Sequence, residues 1–281
     1  MKLTVSSHGT ALRDYAKLAR HADALGYESF FVPDHMVAPL EFDPVYPYRE
    51  SGLPSFRPET PFADPWVMVG HLTAVTQRIK LGVGVFILPM RNPMAAAKSI
   101  ATAQDLSDGR VLVGVGIGWM REEFEALGEA FKGRAERTEE MLAIMRKLWT
   151  GQPVEHEGKF YNFKKVQMSP GLSQSPPILW GGSSPAALVR AARVADGWYG
   201  PPSSFEDNVT FRAGILAEVE KAGRDPAEFA VWARANVPGD ADLIARYRDA
   251  GFSQLGLRPP PEQELQGRLD WMEKVMHWNG R

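Results

Sequence analysis

Short runs rich in β-branched and aromatic residues alternate with longer stretches whose apolar residues recur every three or four positions, from one end of the chain to the other. Leu3–Ser6 reads as a first strand. Leu12–Leu25 follows with apolar positions at Leu12, Tyr15, Leu18/Ala19, Ala22 and Leu25, the spacing of one helix face. Gly26 stops that helix, because glycine takes the left-handed conformation at little steric cost. The spacing then predicts a strand at Glu28–Pro33 and a helix at Asp64–Thr76, capped by Asp64 with Pro65 in its first turn. A strand at Ile79–Ile87, a helix at Met94–Leu106 and a strand at Val111–Val115 come next, then helical pattern at Glu122–Leu127 and Ala135–Trp149. Four more strand–helix pairs are predicted: Pro177–Trp180 with Pro185–Ala195, Gly197–Gly200 with Phe205–Ala222, Phe229–Val237 with Asp240–Ala250, and Gln254–Leu257 with Pro261–Met276.

Strands separated by helices pair in parallel, and a parallel sheet needs both faces covered. A doubly wound sheet would satisfy this, but eight β/α pairs favour a closed (β/α)8 barrel, formed by residues 1–281 as a single domain. Two insertions interrupt the rhythm, one after the second strand and one before the fifth. His35–Ala63 is rich in proline and aromatics (Phe42, Tyr46, Tyr48, Phe56, Phe62) and leaves the strand end where barrel active sites sit. Gly151–Ser175 contains HEGKFYNF, the pattern of a small hairpin.

Composition narrows the function. The 281 residues include 32 Lys and Arg against 34 Asp and Glu, so no bulk attraction to nucleic acid is indicated. There are no cysteines, which removes disulfides, thiolate catalysis and cysteine-ligated metals. No apolar run approaches the roughly 18 residues of a membrane span, and a cytoplasmic protein without membrane attachment is expected. No histidine or carboxylate cluster has metal-ligand spacing, so no metal is expected.

Barrels place reactive groups at strand ends, and four of these carry candidate chemistry. The first strand is followed by Ser7-His8-Gly9, the second by Pro33-Asp34-His35. A histidine at such an edge is a proton donor or acceptor, or else is hydrogen-bonded to a loop carbonyl. His21, His71, His156 and His277 lie in helices, the hairpin and the terminus, and read as structural. The run Gly114-Val115-Gly116-Ile117-Gly118-Trp119 puts glycine at every second residue, leaving one strand face bare enough for a flat ring. Trp180-Gly181-Gly182-Ser183-Ser184-Pro185 runs from a strand into a helix, offering free N–H groups and the positive end of the helix dipole. That turn reads as a phosphate site or as an ordinary cap.

These segments together resemble a known family. PDH at 33–35, LGVGVFILPMRNP at 81–93, AKSIATAQDLSDGRVLVGVGIGWMREEFEALG at 97–128 and PPILWGGSSPAALVRAARVADGW at 176–198 are similar to the luciferase-like monooxygenase superfamily. YPYRESGLP at 46–54 points to its coenzyme F420-dependent oxidoreductase branch. The resemblance implies a flavin or deazaflavin at the C-terminal strand ends, with Gly84, Val85, Ile87, Ile117 and Gly118 around its ring and Gly181, Gly182 and Ser183 at its phosphate. It implies a cis peptide at Gly84–Val85, His35 as the active-site acid, Asp34 in contact with the cofactor, and a homodimer through the helices after strands two and three. His8 and Trp119 are expected in the substrate pocket. Sugar-phosphate dehydrogenases of the family carry a carboxylate where this chain has Trp119, which argues against that substrate; Glu122 and Glu123 are nearby acid/base candidates. The expected activity is hydride transfer between coenzyme F420 and a small organic substrate. The alternative is an FMN-dependent monooxygenase using reduced flavin and oxygen. A barrel isomerase or aldolase would want a catalytic Lys or Glu at a strand end, where this sequence has glycines, Trp119 and His35.

Overall fold

The computed structural model describes residues 1–6, 8–43, 45–48, 51–260 and 264–280. In chain order, β1 (Lys2–Ser6), α1 (Tyr15–Leu25), β2 (Ser29–Val32), α2 (Pro65–Thr73), β3 (Lys80–Ile87), α3 (Pro93–Leu106) and β4 (Val111–Gly116) make the first half. The short α4 (Arg121–Ala126), α5 (Arg134–Trp149) and the strands β5 (Val154–Glu157) and β6 (Asn162–Val166) follow. The second half comprises β7 (Ile178–Gly181), α6 (Pro185–Val194), β8 (Gly197–Ser203), α7 (Phe205–Lys221), β9 (Ala230–Ala235), α8 (Ala241–Asp249), β10 (Gln254–Leu257) and α9 (Leu265–Trp278). Eight of the strands close a parallel barrel in the order β1-β10-β9-β8-β7-β4-β3-β2, while β5 and β6 pair antiparallel outside it.

Local chemistry fixes the element boundaries. Gly26 ends α1 at φ 81°. The Asp64 side chain accepts from the Trp66 and Val67 N–H groups and caps α2, as its spacing predicts. Asp23, buried on α1, accepts from the Gln77, Arg78 and Ile79 N–H groups at 2.7–3.1 Å and so pins the turn that leads into β3. Leu12 is a difference from expectation: Leu12–Asp14 form a 3-10 turn, and Leu12 stays exposed. The predicted start of the last helix, at 261–263, lies outside the described residues, and α9 begins at Leu265.

Alternation on the strands divides the apolar side chains between two layers. Phe30 and Val32 point outward into the main barrel–helix core, whereas Phe31 points inward. There it meets Leu112, Leu179, Tyr199 and Trp232, contributed by β4, β7, β8 and β9. Phe31 and Tyr199 stack with ring centroids 4.6 Å apart. These five side chains plug the barrel interior and form the floor under its open end. Trp66 and Val69 on α2 are buried in the chain's own core, Trp66 edge-on to Phe86, so these two residues of the expected dimer helix are used internally.

One irregularity shapes the floor. The β3–β4 register shifts between Val83 and Phe86, and the Gly84–Val85 peptide is cis. This bulge corrects the reading of the β4 glycines. A Cβ on Gly114 would stand 2.3 Å from the Val83 carbonyl oxygen, and one on Gly116 2.4 Å from Val85 Cγ2. The bare face of β4 is therefore filled by the neighbouring strand's bulge rather than left open for a ring. Nor does Gly118 continue that face: it lies past the strand end at φ 73°, against Phe124 and Ile87.

Candidate active site

A cavity of about 550 Å³ opens at the C-terminal ends of the strands, within the range of small-molecule sites. His8, Asp34, His35, Gly84, Val85, Ile87, Ile117, Gly118, Trp119, Gly181, Gly182 and Ser183 all line it. All eight barrel strands or the loops leaving them contribute, which is how a barrel brings distant segments to one mouth. Ser7, Arg49 and Glu50 lie outside the described residues.

His35 sits just past β2, and its Nδ1 lies 2.8 Å from Glu123 Oε2 on α4. Glu123 has no exposure to solvent, and its other oxygen accepts from the Met36 N–H at 2.7 Å and the Val37 N–H at 3.4 Å. A carboxylate only accepts, so this contact places a proton on Nδ1 and leaves Nε2 as the nitrogen offered to the cavity. Glu122, the next residue back, points elsewhere and accepts from the Asp43 N–H at 3.0 Å. Both acids thus grip the insertion that follows β2.

Asp34 lines the cavity with its carboxylate engaged by the protein's own donors. Its carboxylate is fully buried and takes two bonds from the Arg91 guanidinium, at 2.6 and 2.7 Å, plus one from the Ile87 N–H at 2.8 Å. Burial pushes the Asp34 carboxyl above its usual range, while Arg91 and the Ile87 N–H pull the other way. With a bidentate guanidinium in place, the ionised form is the one this geometry serves. Asp34 therefore braces the end of β2 against the end of β3. Arg91 lies in the tight turn between β3 and α3, within the 81–93 segment, where nothing local marks it as the partner of Asp34.

The insertion forms an aromatic roof. The Phe56 and Phe62 ring centroids lie 4.5 and 5.0 Å from that of His35, and Trp119 packs edge-on against Tyr46 and Phe42. His8 stands beside Phe62 and bonds to the Ser55 backbone. Burial, and then the positive charge of Arg258, push its pKa down to about 4, so it is neutral near pH 7.

At the opposite wall, Gly182 adopts φ 103°, a conformation that favours glycine, and its carbonyl accepts from the Trp198 indole N–H at 2.6 Å. A Cβ on Gly182 would approach Ala187 Cβ to 3.2 Å and the Tyr48 hydroxyl to 3.4 Å. Ser184 caps α6, whose N-terminus faces this turn, and Arg134 and Arg190 line the cavity beside it. Val85 reaches over β4 toward β7: a Cβ on Gly181 would meet its Cγ1 at 2.8 Å. The arrangement suits a planar ring over a small apolar platform, with an anion at the Gly-Ser turn.

Comparison with known proteins finds relatives over most of the chain. An uncharacterised protein of Mycobacterium tuberculosis is 36% identical over 263 residues, covering 90% of this chain and 89% of that protein. The F420-dependent glucose-6-phosphate dehydrogenase of Nakamurella multipartita is 31% identical over 266 residues, 92% of this chain and 73% of the enzyme. The FMNH2-dependent dimethylsulfone monooxygenase of Pseudomonas fluorescens is 31% identical over 226 residues, 74% of this chain and 61% of the enzyme. The structure of an F420-dependent secondary alcohol dehydrogenase in complex with an F420–acetone adduct shares the fold, with a TM-score of 0.78 at 18% identity, covering 98% of this chain and 97% of that one. The luciferase-like monooxygenase model matches residues 2–270 of the 281, so the chain belongs to the luciferase-like monooxygenase family.

Proposed function

We propose that the protein is a deazaflavin-dependent oxidoreductase that uses coenzyme F420 to move a hydride to or from a small organic substrate. The observation that carries this reading is the buried Glu123 carboxylate on His35 Nδ1, which orients Nε2 as a proton donor or acceptor at the cavity. The relative from Nakamurella supports the same cofactor. Gly84, Val85, Ile87, Ile117 and Gly118 would flank the ring, and the Gly181–Ser183 turn and the α6 N-terminus would hold the phosphate. When bound, the cofactor supplies the hydride chemistry and the protein supplies orientation and electrostatics.

The chain's own groups then have distinct tasks. His35 holds or moves the proton that accompanies the hydride. The Phe56, Phe62, Tyr46 and Trp119 roof excludes water and favours an apolar or aromatic substrate. Neutral His8 adds a hydrogen-bonding group without charge. The relative from Pseudomonas supports a second reading, an FMN-dependent monooxygenase.

A side-by-side fluorescence titration of the purified protein with coenzyme F420 and FMN tests the choice. Selective binding of F420 is expected. Selective binding of FMN would overturn the proposal and move the protein to the oxygen-using branch.

A further inference from the structure

The cavity wall beside Gly182 continues outward as a row of positive charge. Arg134 and Arg190 line the cavity, while Arg121, on α4, is exposed. The Arg121 and Arg134 guanidiniums both sit on the Phe131 ring, with Cζ 4.5 and 3.7 Å from its centroid. Arg134 spends its bonds on neutral carbonyls, with Nε donating to Gly118 O at 3.0 Å and Nη1 to Phe131 O at 3.3 Å. Among the described residues, no carboxylate pairs with Arg121 or Arg134. Glu139 accepts from Arg190 and is shared with Arg193. Burial, and then the nearby guanidiniums of Arg121 and Arg190, push Arg134 below the ordinary arginine range. Like charges gathered on one ring without an acid repel one another, and an anion arriving between them relieves that repulsion.

The charge exceeds what a single phosphate needs. The phosphate has its own donors at the Gly181–Ser183 turn and the α6 N-terminus. Arg121 is not among the cavity-lining residues and stands at the surface, so a ligand that meets it as well as the cavity must extend out of the cavity.

We infer that Arg121, Arg134 and Arg190 form a second anion subsite, which takes the carboxylates of an acidic extension continuing past the cofactor's phosphate. This rests on the deazaflavin reading, since coenzyme F420 carries γ-linked glutamates beyond its phosphate whereas FMN ends there. Guanidinium–carboxylate pairs are charge-assisted and planar, and arginine is suited to them. Because the outer part of the row is exposed, its contribution is sensitive to salt.

The experiment is a binding series with the full chain. F420 carrying no glutamate and F420 carrying several are titrated against wild type, Arg121→Glu and Arg134→Lys, at low and high ionic strength. Wild type is expected to bind the long form about tenfold more tightly, the scale of one charge-assisted hydrogen bond. High salt and Arg121→Glu should each shrink that gap. Arg121 is exposed, so its reversal keeps the fold, and Arg134→Lys keeps the charge while losing the planar fork. Equal binding of both forms by wild type would overturn the subsite and leave the deazaflavin reading standing, as would a gap that Arg121→Glu does not change. Failure of both forms to bind while FMN binds would overturn both.

Discussion

Glu123 and His35 stand 88 residues apart in the chain and 2.8 Å apart in the barrel, carboxylate to imidazole, with the carboxylate sealed from water. A histidine held this way has one tautomer and one orientation, the requirement for a positioned acid or base. Replacing His35 with Phe should lower turnover by about 10²-fold or more while leaving cofactor affinity largely intact. Unchanged turnover in steady-state assays would remove His35 from the chemistry.

Glu123→Gln keeps the shape and removes the charge. It should cost about 10-fold in turnover, the lower end of partner effects of this kind. The loss should fall on kcat and leave KM near its wild-type value, because an amide can turn either its oxygen or its NH2 toward Nδ1 and no longer fixes the tautomer. A purely structural role for Glu123 would change the melting temperature but leave kcat where it was.

The pair formed by Asp34 and Arg91 predicts stability rather than rate. Asp34→Asn leaves a guanidinium without its counter-charge against the buried end of β3, and breaking such pairs costs about 3–5 kcal/mol. Denaturant unfolding should show a loss of that order. A loss below about 1 kcal/mol would mean that Arg91 finds solvent easily and the bridge does little.

His8 makes stability depend on acid. Its pKa is lowered to about 4 in the folded protein and returns to 6.5 on unfolding. Between those values the unfolded chain binds the extra proton, so His8 contributes stability above pH 6.5 that is lost as pH falls toward 4. His8→Asn should flatten this part of the stability curve. Unfolding midpoints across that interval that fall as steeply as in wild type would refute the assignment.

Val85 and Gly181 predict a rescue. Gly181→Ala places a methyl against Val85 Cγ1 at 2.8 Å, and overpacking of this kind costs about 1–3 kcal/mol. Adding Val85→Ala removes the obstructing carbons, so the double variant should be more stable than the sum of the two single changes allows. Strict additivity would place the clash elsewhere.

Much of this molecule is legible in its sequence. Alternating strand and helix periods give the eight β/α pairs, because apolar spacing directly reports which face is buried. Pro33-Asp34-His35 and the Gly-Gly-Ser turn are visible because strand ends and glycines are local signals. Partnership is not local: that Glu123, not Glu122, reaches His35 depends on how α4 sits across the barrel mouth. The β4 glycines announce a close approach without naming what approaches, and the occupant is the Val83 carbonyl and the Val85 side chain rather than a ligand. Arg91 and Arg190 lie within the quoted segments and Arg134 outside them, but no local signal marks any of the three; only the folded chain sets Arg91 on Asp34 and brings Arg134 and Arg190 to the cavity.

The insertion after β2 is fastened through its backbone. The N–H groups of Met36, Val37 and Asp43 dock on Glu123 and Glu122, and every residue except proline supplies that N–H. The anchorage is therefore indifferent to side-chain identity at these three positions. Selection can rewrite the roof residue by residue, changing which substrates fit beneath it, while the same two acids keep hold of it and one of them keeps the imidazole in line. The surroundings of His35 and the roof over them can diverge at separate rates because one joint serves both.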